Sequence, residues 1–376
     1  MASPAPRKRY RRVNGTRGAT GSIVRPSDYS WLGGRIRGPP AIKSGQYRPH
    51  LAEFRRLKRR AIVIRHWIEK AGWLPGMGLR EAANIEAELT PPFTVQQPRH
   101  LTGPFVFNSP HSGRVYPKTF LEASRLDALT LRKSEDVFVE ELFVPVVGLG
   151  APLMHAHFPR AYLDVNREPY ELDPALIADS LPRYANTQSV RVVGGLGTIA
   201  RVVTESEEIY REPLSLAQAL VRINRLYKPY HAALQDLMEQ CSKAFGLSVL
   251  IDCHSMPSNP TSDLGGPRPD FVLGDRFGTS CDPELTRFVA QRLKSMGYVV
   301  TLNKPYAGGF ITEHYGRPVD GLHALQIEVN RALYLNEETF EKRAGFDALQ
   351  ADLERLARAM FAIAPVLLNV PRAAAE

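Results

Sequence analysis

The chain has 376 residues, 44% hydrophobic and 23% charged, which is ordinary for a protein that builds a core and leaves room for one large α/β domain plus an extension, or for two or three domains. No stretch approaches ~18 consecutive apolar residues, so a membrane-spanning helix is excluded, and Cys241, Cys253 and Cys281 are too few for a disulfide scaffold or a zinc ribbon. The net charge of +9 divides into +14 over residues 1–100 and −5 over residues 101–376, so the basicity belongs to the N-terminal quarter alone.

Residues 1–50 are rich in Arg, Gly, Ser and Pro, with Asp28 as the only acid. Such a segment buries too little apolar surface to offset its ordering entropy, so it reads as disordered. No apolar stretch follows Arg7–Arg12, which argues against a secretory signal. Residues 51–70 suggest a basic helix without a clean apolar stripe. The sequence therefore divides into a basic, mostly disordered extension over 1–85 and a folded domain over 86–376. The extension is a solvated tail, or else an arm for RNA or an anionic surface; no recognition motif accompanies its charge. The sparse cysteines point to a reducing, cytoplasmic setting.

From about residue 100 the pattern changes. Phe105–Asn108 is a short apolar run that enters the turn-rich loop SPHSG, and residues 151–157 and 161–166 read as strands broken by Pro159. Glu135 and Asp136 open SEDVFVEELF, which has the look of a helix start. Residues 215–245 carry the clearest helical signal. Ser215 and Gln218 have capping-box spacing, Pro229 predicts a kink or break, and Gly246 is placed to cap the C-terminus. Leu247–Cys253 then reads as a strand buried on both faces. A helix over about 283–296 with Asp282 as its cap, strands at Tyr298–Leu302 and Ala324–Val329, and a helix over about 338–363 complete the chain. Helices alternating with short apolar strands predict an α/β domain with a largely parallel sheet.

In such sheets functional groups gather at the carboxyl ends of strands. His111 follows the strand ending at Asn108, His254 follows LIDC, and Glu328 sits near the end of ALQIEV; the Glu135–Asp136 pair supplies further carboxylates. Two histidines and two carboxylates are the parts of a zinc hydrolase, in which three ligands hold the metal and a free carboxylate serves as base. The spacing includes no HExxH motif, and histidines satisfied by a helix end and by backbone are the competing explanation. Cys253 adjoins His254 in a strand and should point to the opposite face, which favours a buried structural thiol over a nucleophile.

The stretches FNSPHSGRVYP (107–117), YLDVNREP (162–169), LIDCHSMPS (250–258), PDFVLGDRFGTSC (269–281), NKPYAGGFITEHYGRP (303–318) and HALQIEVNRALY (323–334) resemble the N-formylglutamate amidohydrolase family, in the family's order across roughly residues 100–340. The resemblance implies a three-layer α/β/α fold with a mixed, largely parallel sheet, similar to the zinc carboxypeptidases, and one Zn2+ per chain. His111, His254 and Asp136 match the family's ligands, with Glu135 as the off-by-one alternative. Glu328 matches the glutamate expected to act as general base. Arg167, in DVNR, is expected to bind a substrate carboxylate or polarise the scissile carbonyl, with Asn166 beside it. Arg331 is either a second substrate contact or a structural ion-pair partner, Arg201 is a further candidate, and Gly308–Gly309 suggests a pocket loop. The implied reaction is hydrolysis of the N-formyl amide of a small amino acid such as N-formyl-L-glutamate, giving formate and glutamate. The alternatives are another N-acyl amino acid or a small peptide, or a non-catalytic member with a degenerate zinc site, tethered by its basic arm.

Overall fold

Seven strands form the central sheet in the computed structural model, which describes residues 75–203, 207–258 and 269–368. They are β1 (Phe93–Gln96), β2 (Phe105–Ser109), β3 (Leu153–Ala156), β4 (Ser248–Met256), β5 (Phe271–Gly274), β6 (Val300–Leu302) and β7 (Leu322–Asn330), in the spatial order β1-β3-β2-β4-β7-β5-β6. The central run β3-β2-β4-β7 is parallel; β1 joins β3 antiparallel, and β5 joins β7 antiparallel while pairing parallel with β6. The sheet is thus mixed and largely parallel, as the alternating pattern predicts. All nine residues of β4 are buried, as its apolar run requires of a strand covered on both sides.

The alternation of side chains along the strands divides the core in two. Phe105, Phe107, Val249, Ile251, Cys253, Leu325 and Ile327 face helices α4 (Val139–Phe143), α5 (Pro145–Gly148), α9 (Pro283–Ser295) and α11 (Phe346–Leu367). Val106, Met154, Leu250 and Ala324 face the opposite layer, which includes α7 (Leu216–Arg222), α8 (Lys228–Phe245) and α10 (Phe310–Tyr315). Cys253 therefore lies in the first core, across the sheet from His254. Three short helices precede these elements in part: α2 (Lys118–Ala123), α3 (Ala128–Arg132) and, before α7, α6 (Val190–Val193).

Local signals explain most helix ends. Ser215 and Gln218 form the expected capping box, Gly246 closes α8 in the left-handed conformation at φ 78°, and Asp282 caps α9. Pro229 does not break its helix. A π-helical turn over Ile223–Tyr227 carries α7 into α8, and Pro229 sits in the first turn of α8, where a missing N–H is tolerated. Residues 161–166 are not a strand. Tyr162 and Leu163 donate to the Pro159 carbonyl and Asn166 N–H donates to Asp164 Oδ1, so this buried segment is a turn held by local bonds. The last helix starts at Phe346, because Leu335–Asn336 and Glu341–Lys342 form a small hairpin first.

The domain boundary expected at 85/86 falls inside α1 (Pro75–Glu88), where Glu81, Ile85 and the following Leu89 are buried. The domain thus begins before residue 86, since Ile85 and Leu89 belong to the core that includes α7 and α8. The described residues all fall in one compact unit. The expectations of a disordered segment over 1–50 and a basic helix over 51–70 lie outside the described residues.

Candidate active site

The carboxyl ends of β2, β4 and β7 bring the polar residues together on one face. Residues 252 and 254 of β4 point the same way, and register pairs Asn108 with Asp252 and His254 with Glu328. The loop after β2 carries His111, whose carbonyl accepts from Asp136 N–H at 3.0 Å, so the segment before α4 is tied to the histidine loop. His111, Asp136 and His254 are all buried and offer ligand atoms that lie within 4.8 Å of one another.

Each ring is turned by a carboxylate. His111 Nε2 donates to Asp164 Oδ1 at 2.8 Å, and His254 Nε2 donates to Asp252 Oδ2 at 2.9 Å. Both rings thereby aim Nδ1 at Asp136 Oδ2, at 3.5 Å from His111 and 2.9 Å from His254. Donors sharing one zinc at ~2.0–2.2 Å stand roughly 3–3.5 Å apart, so the distances from Asp136 Oδ2 to the two rings suit such an ion. The decisive detail is His111 Nδ1, a buried ring nitrogen without a hydrogen-bond partner. Leaving such an atom unmatched costs ~1–3 kcal/mol, and a cation at the triangle's centre satisfies it. Carboxylate-held imidazoles are the usual support of metal ligands.

Burial would raise the Asp136 carboxyl, but the adjoining imidazoles of His111 and His254 outweigh it and hold Asp136 well below the ordinary range. His254 is held well above its ordinary value: burial opposes its charge, and the neighbouring Asp252 and Asp136 prevail. Glu135 turns away. It accepts from Tyr116 Oη at 2.5 Å and Arg132 Nε at 3.1 Å, so Asp136 is the carboxylate that meets the histidines.

A cavity of about 240 Å3 opens on this cluster, lined by Asp136, His254, Glu328, Arg160, Arg331 and Tyr306, with Leu196, Ala200, Val202 and Val203 as an apolar wall. Burial pushes the Glu328 carboxyl up to about 7 against the pull of the His254 charge, and its Oε1 accepts from Gln326 Nε2 at 2.7 Å. Glu328 therefore faces the cavity beside His254 without belonging to the triangle.

The expected arginines divide. Arg167 does not line the cavity: Nε donates to Leu196 O and Nη1 to Asn166 O, both at 2.8 Å, and Nη2 stands 3.6 Å from Asp164 Oδ2. Its fork is occupied by the turn that carries it. Arg331 lines the cavity and is also an ion-pair partner, with Nη2 at 3.3 Å from Asp136 Oδ1 and Nε donating to Ser255 Oγ. Arg201 is not brought into the site. It pairs with Asp173 at 2.7 Å and with Glu208 on the outer side of the wall.

Asn166 Oδ1 accepts from Ile311 N–H, and Asn166 Nδ2 lies 3.3 Å from His254 Nε2, so Asn166 packs behind the histidine. Gly308 and Gly309 do not line the cavity either. Gly309 N–H donates to Gln326 Oε1 at 2.8 Å, and a Cβ at Gly309 would stand 2.4 Å from Asn166 Nδ2, so the loop braces Asn166 and the Gln326–Glu328 pair.

Three residues that the structure places in this site are absent from the reading of single motifs. Asp252 lies two residues before His254 in a strand and so on the same face, a signal present in LIDCH. Asp164 lies two residues before Asn166 in DVNR. Arg160 lines the cavity and donates from Nε to Asp164 Oδ2 at 2.9 Å.

A family model described as N-formylglutamate amidohydrolase matches residues 103–335, a span that contains every residue of the triangle and the cavity. The chain belongs to the N-formylglutamate amidohydrolase family. The N-formylglutamate deformylase of Pseudomonas aeruginosa is 29% identical over 261 residues, covering 68% of this chain and 89% of the relative. That of Pseudomonas putida is 29% identical over 268 residues, covering 69% and 92%. The crystal structure of N-formylglutamate amidohydrolase from Ralstonia eutropha JMP134 aligns with a TM-score of 0.69 at 38% identity, covering 72% of this chain and 97% of its own. A protein from Agrobacterium tumefaciens shares the fold at a TM-score of 0.50 and 19% identity, over 72% and 94% of the two chains. Family membership agrees with the α/β/α layering derived above. No helix among the described residues is long and apolar enough to cross a membrane.

Proposed function

We propose that the chain is a cytoplasmic, zinc-dependent amidohydrolase that cleaves the N-formyl amide of an amino acid such as N-formyl-L-glutamate, giving formate and glutamate. The observation that carries the reading is the buried convergence of His111, Asp136 and His254 beside Glu328, with His111 Nδ1 otherwise unmatched. His111 Nδ1, His254 Nδ1 and Asp136 Oδ2 would hold the ion. A zinc ion in such a site acidifies water to a pKa of ~7 and polarises a carbonyl oxygen.

The chain's own groups do the rest. Glu328 takes the proton of the attacking water on a carboxylate oxygen and later delivers it to the leaving nitrogen. The Gln326 amide donates to Oε1 and keeps the carboxylate facing the cavity. Arg160, fixed through Nε by Asp164, presents the rest of its guanidinium toward the substrate, where it binds a carboxylate or stabilises the charge that develops on the formyl oxygen. Arg167 then acts through Asp164, as a brace of the His111 support. The apolar wall of Leu196, Ala200, Val202 and Val203 receives the methylene portion of the substrate and keeps water away from the charged groups.

Formate release from N-formyl-L-glutamate, measured with and without a chelator and compared with N-acetyl-L-glutamate and N-formyl-L-leucine, tests the proposal. Formate release that a chelator abolishes and zinc restores is the expected result. Release insensitive to zinc removal overturns the metal assignment, and preference for N-acetyl or leucyl substrates overturns the substrate assignment.

A further inference from the structure

Helix α8 reaches the candidate metal cluster through buried side chains that hydrogen-bond in series. Tyr230 Oη donates to Asn108 Oδ1 at 2.6 Å, Asn108 Nδ2 donates to Asp252 Oδ1 at 2.8 Å, and Asp252 Oδ2 accepts from His254 Nε2 at 2.9 Å. Tyr230, Asn108 and Asp252 each have no solvent exposure. We infer that Tyr230 and Asn108 are positioning residues whose hydrogen-bond series fixes the ring of His254, and with it the Nδ1 lone pair, for metal binding. The inference rests on the zinc reading given above and adds to it two residues that touch neither metal nor substrate.

Direction is what makes the series informative. A carboxylate can only accept, so Asp252 forces a donor from each neighbour: the amide N–H of Asn108 and the Nε2–H of His254. The Asn108 side chain could in principle present either end of its amide. The acceptor-only Asp252 takes the nitrogen end, and the Tyr230 hydroxyl, which can donate as well as accept, donates to the amide oxygen that remains and holds the amide in that orientation. Asn108 is thereby oriented with its nitrogen toward Asp252, and Asp252 Oδ2 is left to the imidazole. A flipped amide would set two oxygens against each other in a dry interior, where an unmatched polar atom is costly.

The two histidines are supported differently. Asp164, which holds His111, is bonded by the Arg160 guanidinium and stands 3.6 Å from that of Arg167. Asp252 is bonded by the neutral Asn108 amide, and among the described residues it forms no ion pair with lysine or arginine. An undiminished carboxylate makes the imidazole it holds a stronger ligand, and support of this kind is worth ~10–100-fold in metal affinity. His254 is thus the ligand whose strength depends on a series of neutral donors, and that series ends at the Tyr230 hydroxyl.

The test is zinc affinity of the full chain, measured by competition with a chromophoric chelator, together with the thermal midpoint of the metal-free protein. Tyr230→Phe removes one oxygen and keeps the ring in its pocket. It is expected to weaken zinc binding about 10-fold while the metal-free midpoint moves by only a few degrees. Asn108→Leu removes the amide and is expected to weaken binding toward ~100-fold. Tyr298→Phe, which deletes a hydroxyl bonded to the distant Asp352, should leave zinc affinity unchanged. A Tyr230→Phe protein with wild-type zinc affinity overturns the inference, whatever its midpoint, because a purely structural hydroxyl changes stability alone. A wild-type chain that takes up no zinc overturns the metal reading itself, and this inference with it, so the two failures are distinguishable.

Discussion

Two buried polar clusters sit in the same layer of this fold, and they are finished to different degrees. In the first, between α1 and α7, Glu81 accepts from both Arg222 Nε and Tyr162 Oη, and Arg222 Nη1 donates to Tyr210 Oη and Tyr162 O. The guanidinium also lies 3.9 Å over the Tyr162 ring. No buried side-chain atom of these four residues lacks a partner. The second cluster, at the carboxyl ends of β2, β4 and β7, is equally buried yet leaves His111 Nδ1 unmatched and opens on a cavity. A buried polar cluster with every bond made stabilises the fold around it; one that holds back a donor atom at an opening is arranged for something to arrive.

Substitutions should separate the two clusters cleanly. His254→Ala removes one corner of the triangle, and three protein ligands are the minimum of a catalytic zinc site. Stoichiometric zinc and formate release should both vanish, checked by metal analysis after dialysis and by a formate assay. Retained zinc in this variant would show that the triangle is not the metal site. Glu328→Gln keeps shape and removes the proton acceptor, so zinc content should stay at the wild-type level while kcat falls by about 10²–10⁴-fold. Full zinc with near-normal kcat would eliminate Glu328 as the base. Arg222→Met belongs to the other cluster. It strands the Glu81 carboxylate in the interior, and breaking a buried pair in this way costs about 3–5 kcal/mol. Denaturant unfolding should report that loss, while zinc affinity per folded molecule stays unchanged.

The same contrast explains what could be read in the chain. His111, His254 and Glu328 were legible because each lies near or just past the carboxyl end of a short apolar strand, and the fold brings the carboxyl ends of adjacent parallel strands together. The choice between Asp136 and Glu135 was not, because neighbouring carboxylates look alike until a bond such as that from Asp136 N–H to the His111 carbonyl fixes the register. Arg167 matches a motif, but a motif names a residue type and not where its fork points; the local turn takes the fork, and Arg160 faces the cavity instead. The segment 161–166 reads like a strand because burial, not pairing, fixes its apolar residues. Helix α1 was hidden by the basic average of the chain's first hundred residues, although Ile85 and Leu89 are core residues and Glu81 anchors the saturated cluster.

The smallest effect that distinguishes the clusters is one of pH. Burial would raise the Glu81 carboxyl, but the Arg222 charge and the hydrogen bonds from Tyr162 and Arg222 outweigh it and hold the group below its ordinary value of 4.5. A carboxyl depressed in the folded state binds fewer protons there than in the unfolded chain, so stability rises with pH across that interval. The contribution of Glu81 is therefore fully present above the unfolded value and is lost as pH falls through the lower folded value. Glu81→Gln removes the titration and should flatten this part of the acid limb. Urea midpoints of the metal-free protein, measured between about pH 3 and pH 6 for wild type and variant, isolate the term, because the carboxylates common to both chains, Asp136 included, cancel in the difference. The gap between the two curves should narrow as the pH falls below the unfolded value. Parallel curves over the whole range would show that the Glu81–Arg222 pair contributes no pH-dependent stability. The zinc affinity of the variant at pH 7 should match wild type, because the saturated cluster shares no hydrogen bond with the triangle.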